Sequence, residues 1–168
     1  MTRKGKLIRN LAVILAIFGA YFLLFWLYLS PERCALATAR ELYYGECTAR
    51  GWADLPGGRR IYALATPDGE FCYSRVQRSM GLFWRTDGCG RGREMAPGLL
   101  NGYWTGGGET VNAVLLRLNP AVETVAWEGG SSSDWNGDVM VLELGWEDLE
   151  QTFQVRDQAG SLLWEGTY

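Results

Sequence analysis

Arg60–Gln77, RIYALATPDGEFCYSRVQ, is the stretch whose reading decides the fold. Two runs seeded with Ile, Tyr, Phe and Val flank the turn tripeptide Pro67-Asp68-Gly69, which is the signature of a β-hairpin. A further turn at Ser79–Gly81 leads into a third strand, Leu82–Thr86. Beyond it, strands are expected at Asn112–Leu118, Val122–Glu128, Asp138–Leu144, Gln151–Arg156 and Ser161–Glu165, the last two joined by a tight turn at Asp157–Gly160. The glycine-rich segments Gly51–Gly58 and Gly88–Gly108, the latter with Pro97 and Gly106-Gly107-Gly108, read as connections. This spacing predicts a small, mainly antiparallel β domain over residues 46–168, a sandwich or half-barrel.

On the N-terminal side the pattern is helical. Ser30-Pro31-Glu32 combines a favoured N-cap, a proline tolerated in the first turn and an acid suited to the positive helix start. Ala35, Leu36, Ala39, Leu42 and Tyr43 recur at three- and four-residue spacing up to the stop at Gly45, so a short juxtamembrane helix is expected over 31–45. Before it, Leu11–Leu29 (LAVILAIFGAYFLLFWLYL) carries no charge. As a helix it would measure about 28 Å, near the thickness of a bilayer's hydrocarbon, so a transmembrane helix is expected over 11–30. Phe22, Phe25, Trp26 and Tyr28 would form an interfacial aromatic belt. Arg3, Lys4, Lys6 and Arg9 make residues 1–10 a basic cytoplasmic tail and put the rest outside, at the cell membrane. The alternative is a secreted protein whose signal peptide is cleaved at Ala35-Leu36-Ala37 or Ala37-Thr38-Ala39. The expected architecture is thus α+β overall, a span and a short helix ahead of the β domain.

All nineteen acids lie after Leu29 with twelve of the sixteen bases, a net charge of about −7 for that part. Residues 99–168 hold eleven of the acids against Arg117 and Arg156 alone, which argues against nucleic acid or anionic headgroups as partners.

A basic start, one apolar run, a Ser-Pro-Glu helix entry ending near Tyr43-Tyr44-Gly45, the Asp68-Gly69 hairpin and Met80-Gly81-Leu82-Phe83-Trp84-Arg85 come in this order, followed by Asn119-Pro120, Val122–Val125 and the strand-turn-strand Phe153–Trp164. Together they resemble a group of uncharacterised, small membrane-anchored proteins of Gram-positive bacteria. The resemblance implies an anchored outer domain of β-type and brings no activity, substrate or catalytic residue with it.

The four cysteines, Cys34, Cys47, Cys72 and Cys89, form no C-x-x-C pair, and the chain has no histidine, so no zinc site is expected. A two-residue turn at Met80-Gly81 would set Cys72 opposite Cys89 and allow a disulfide; four free thiols are the alternative. Asp134, Asn136 and Asp138 have the spacing that opens a calcium loop, but Val139 stands where its glycine belongs and Gly145 where its glutamate belongs, so a turn is preferred. Gly88, Gly90 and Gly92 interleave with Cys89, Arg91 and Arg93, a possible cradle for phosphate or carboxylate, weighed against a plain connection whose arginines find acids nearby. Seven of the eight tryptophans follow the apolar run. Trp84, Trp127 and Trp164 belong to strand patterns, whereas Trp104, next to Tyr103, and Trp135, in a polar loop, are candidates for ligand contact. Catalysis is poorly served without histidine: Ser131–Ser133 lack a nucleophile elbow, and Glu147, Asp148 and Glu150 read as a solvated turn before paired carboxylates. The expectation is a non-catalytic binding or interaction module of the cell envelope, needing no cofactor, with another envelope protein or a wall glycan as partner.

Overall fold

The computed structural model describes residues 3–25, 28–42, 44–106 and 110–167, with the backbone alone at 3, 22–25, 147 and 149. Two helices precede twelve strands arranged as three four-stranded antiparallel sheets. Sheet A is β1 (Thr48–Leu55), β2 (Arg59–Ala65), β3 (Phe71–Ser79) and β4 (Phe83–Arg91), in that order. Sheet B runs β10 (Val139–Gly145), β7 (Thr110–Arg117), β6 (Leu100–Gly106), β5 (Arg93–Ala96). Sheet C runs β12 (Leu162–Thr167), β11 (Thr152–Arg156), β8 (Thr124–Trp127), β9 (Gly130–Ser132).

Three cores hold these layers together. Ile61, Ala63 and Tyr73 of sheet A meet Val114, Leu116 and Val139 of sheet B. The opposite face of sheet B, with Leu100, Ala113, Leu115, Met140 and Leu142, packs on Val125, Phe153 and Val155 of sheet C. Sheet B is covered on both faces, which is why β7 is buried at every position from Val111 to Leu116 and is apolar there except at Asn112. On the outer face of sheet A lies α2 (Pro31–Glu41), whose fully buried Cys34, Ala35 and Ala39 contact Tyr62, Leu64, Cys72 and Val76. Ser30 caps α2 by accepting a hydrogen bond from the Arg33 amide at 3.4 Å. The residues weighed as signal cleavage sites are therefore part of a packed helix. Tyr43 lies outside the described residues.

The expected transmembrane span is corrected. Among the described residues, no helix is long and apolar enough to cross a membrane. Helix α1 (Arg3–Phe25) spends its first turns on Arg3, Lys4, Lys6 and Arg9. It holds about fifteen residues of the uncharged run, roughly 22 Å against the roughly 30 Å of a hydrocarbon core. The run's end belongs to the β domain instead: Tyr28 and Trp84 exchange both backbone hydrogen bonds, at 2.8 and 2.7 Å. Of the expected aromatic belt, Trp26 lies outside the described residues, as do the side chains of Phe22 and Phe25.

Two expected connections turn out to be strands. The segment read from Gly88 to Gly108 contains the end of β4, all of β5 and all of β6; Gly107 and Gly108 lie outside the described residues. Gly90 is there because a side chain lies on the strand: a Cβ at this position would come within 2.6 Å of the Tyr103 ring, which stacks on Tyr73 with centroids 5.3 Å apart. The segment beginning at Gly51 is the middle of β1, where a Cβ would lie 2.8 Å from Cγ2 of Val139 in sheet B. Asn136-Gly137 does mark a hairpin, but Asn136 is paired with Val139 and the two-residue loop is Gly137-Asp138, with Gly137 at φ 64°.

Candidate functional site

That close approach of Gly51 to Val139 creates the candidate site. β1 is an edge strand of sheet A and β10 an edge strand of sheet B, and they come side by side without pairing. The contact closes one end of the seam, and Asn136 bridges it by donating from Nδ2 to the Trp52 carbonyl at 3.0 Å. The rest opens into a groove of about 430 Å³, within the range of ligand pockets. Trp52, Ala53, Asp54 and Pro56 line one side; Val139, Val141 and Glu143 line the other, with Asn112 between and Asp134 at the rim.

The polar groups here differ in how they are held. Asp54 is engaged by Arg60, from Nε to Oδ1 at 2.8 Å and Nη2 to Oδ2 at 3.2 Å, and the same guanidinium lies 3.8 Å over the Trp52 ring. Binding to Asp54 holds the Arg60 guanidinium above its ordinary pKa. Asp138, beside the groove, sits between Arg117 at 3.5 Å and Arg50 at 3.8 Å. Asp134 and Glu143 have no ion pair among the described residues. Asn112 is only 8% exposed and its amide meets no hydrogen-bond partner among them, although it lies directly opposite Glu143 in the β7–β10 register.

The residues singled out from the sequence fall elsewhere. Trp104 is half-buried on the sheet B–sheet C core, its ring 6.5 Å from that of Phe153. Trp135 packs against the same core, donates from Nε1 to the Glu123 carbonyl at 2.7 Å and lies 4.9 Å beneath the Arg117 guanidinium. Tyr103 covers Gly90 and stacks on Tyr73. Arg91, at the end of β4, is neutralised by Glu70 at 3.1 Å and Asp68 at 3.7 Å from the neighbouring β2–β3 turn, while Arg93 is exposed on β5 and does not join it in a cradle. Asp148 is structural, accepting from the Gly145 amide at 2.7 Å and from Gln151 Nε2 at 2.8 Å. The side chain of Glu147 lies outside the described residues. In the segment weighed as a calcium loop and read as a turn, Asn136 pairs with Val139 and donates to the Trp52 carbonyl, and Asp138 is held by two arginines.

The Cys72–Cys89 disulfide is not formed; all four thiols are free. The β3–β4 loop is one residue longer than expected, pairing Ser79 with Phe83, and a bulge at Arg75/Val76 adds a second shift. Cys89 therefore lies opposite Ser74, while Cys72 lies opposite Arg91. The four cysteines nevertheless gather in the core between α2 and sheet A. Hydrogen bonding from Cys72 pulls the Cys89 thiol down, whereas the contact with Cys89 and burial push Cys72 well up. Burial also raises Cys34 to about 12 and Cys47 to about 11. Among the described residues, no group of three or more His, Cys, Asp or Glu is arranged to hold a metal ion.

No protein-family model, no curated protein and no solved structure matches the chain.

The groove was missed in the sequence because it belongs to a seam between strands far apart in the chain. Its one local signal was Gly51, a glycine placed inside what proves to be a strand.

Proposed function

We propose that the chain is a non-catalytic binding module that takes its ligand in the groove between β1 and β10. The observation that carries this reading is Asn112: a residue only 8% exposed, on the wall of an open groove, whose amide has no partner among the described residues. An amide that reaches the groove without a partner in the chain is free to take a ligand's hydrogen bond. The absence of histidine from the sequence, and the structural engagement of Asp148 in the acid cluster, favour binding over catalysis. The envelope setting rests on the sequence resemblance alone. Wall glycan is a weaker partner here, because the rings of Trp104 and Trp135 are packed into a core.

Photo-crosslinking tests the reading. A benzophenone side chain at Val141, which lines the groove, is expected to form adducts in cells that Asn112→Leu reduces at least tenfold. The same group at Ala159, in the β11–β12 turn, supplies the background. Equal adducts from both positions, or none from Val141, would refute a binding role for the groove.

A further inference from the structure

Resting on that reading, we infer that the groove's ligand is a basic side chain, Lys or Arg, presented by an extended peptide. The groove's surroundings sort its acids into two kinds. Asp54 and Asp138 are each matched by an arginine of the chain itself, whereas Asp134 and Glu143 are not paired among the described residues. Glu143, exposed and facing the unpartnered Asn112 amide across the β7–β10 ladder, leaves a place for one more cation. An amide oxygen and a carboxylate together accept from an ammonium or guanidinium, which brings several donors and no acceptor.

The remaining lining fits the rest of such a side chain. Val139, Val141 and Pro56 give apolar surface for an aliphatic stem, and Lys and Arg characteristically lay their stems on apolar surface with the charged head in polar surroundings. The chain's net charge of −3 at neutral pH would favour a cationic partner over an anionic one.

The flanking strands offer the pairing edges a peptide backbone needs. β1 and β10 each pair on one side only, so each presents an unpaired edge along the seam. Edge strands of this kind accept an extended segment as an added strand, with alternate side chains dropping into pockets. The Asn136 bridge to the Trp52 carbonyl limits such pairing to the open part of the groove, toward Pro56 and Glu143.

Fluorescence anisotropy with the full chain and a labelled ten-residue peptide alternating Lys and Val tests this. Saturable binding is expected, with Glu143→Gln and Asn112→Leu each weakening it at least tenfold. Glu128→Gln, an exposed acid in the β8–β9 turn, should change it less than twofold. Thermal melting of Glu143→Gln should match the parent, since the carboxylate is exposed and unpaired. Equal binding of a Glu/Val peptide, equal loss with Glu128→Gln, or displacement by free lysine at the peptide's own concentration would each overturn the proposal. If Val141 crosslinking succeeds while this peptide fails to bind, the binding module stands and the cationic ligand falls.

Discussion

Gly51 is the residue on which the site depends. It lies in the middle of β1, and a Cβ there would come within 2.8 Å of Val139 Cγ2, a branched side chain with little freedom to move aside. Gly51→Ala should therefore force β1 and β10 apart and destabilise the domain by about 1–3 kcal/mol, the range for overpacking. Denaturant unfolding followed by far-UV dichroism measures it, and an unchanged midpoint would show that the two strands are not in close contact. Asn112 makes the opposite point about legibility. In VNAVLLR it reads as a polar interruption of a strand, and nothing local says that Val114 and Leu116 on the same face enter a core while Asn112 opens onto a groove.

The elements were legible in proportion to how local their causes are. Ser30-Pro31 marks the start of α2, Pro67-Asp68-Gly69 marks the β2–β3 turn, and both stand where the sequence puts them. Gly88–Gly106 was misread because Gly88, Gly90 and Gly92 answer to Arg75, Tyr103 and Tyr73 on neighbouring strands, and glycine in isolation signals a turn. The Cys72–Cys89 register failed for a related reason: a longer loop and a bulge each move the pairing by one residue.

The α2–sheet A interface should respond to alkali. Cys34 is fully buried, and its folded pKa of about 12 lies above that of an unfolded thiol, so the folded state holds its proton longer. Its contribution is fully present below about pH 8.5 and is lost as pH rises toward 12, as the unfolded chain ionises first. This thiol alone should account for about 2 kcal/mol of the stability lost between pH 9 and pH 11, with Cys72 and Cys47, raised in the same core, adding to the loss. Urea titrations at the two values check this, and Cys34→Ala should flatten the slope; a parent protein that gains stability over this window would contradict the burial of the thiol.

At the scale of the whole molecule, three sheets and one helix make four layers, with sheet B covered on both faces by sheets A and C. A sandwich or half-barrel was the expectation; β8, β11 and β12 were foreseen as strands but not as a separate third sheet, and β9, Gly130–Ser132, a short run of Gly and Ser, has no strand signature. The apolar N-terminal run was misassigned because hydropathy does not report where a helix ends. Tyr28, at the run's far end, is held by Trp84, so part of the stretch counted toward a span serves sheet A. Stacking sheets A and B also brings two edge strands together, and the groove at their seam is a consequence of that arrangement more than of any single motif.

The most direct measurement of this account is amide chemical-shift mapping of the full chain during titration with the alternating Lys/Val peptide. The largest perturbations are expected at Asn112, Val141 and Glu143 and at Ala53, with sheet C unmoved. Shifts centred on Trp104, Trp135 or Arg93, or no saturable shift at the seam, would contradict the assignment of function to the groove.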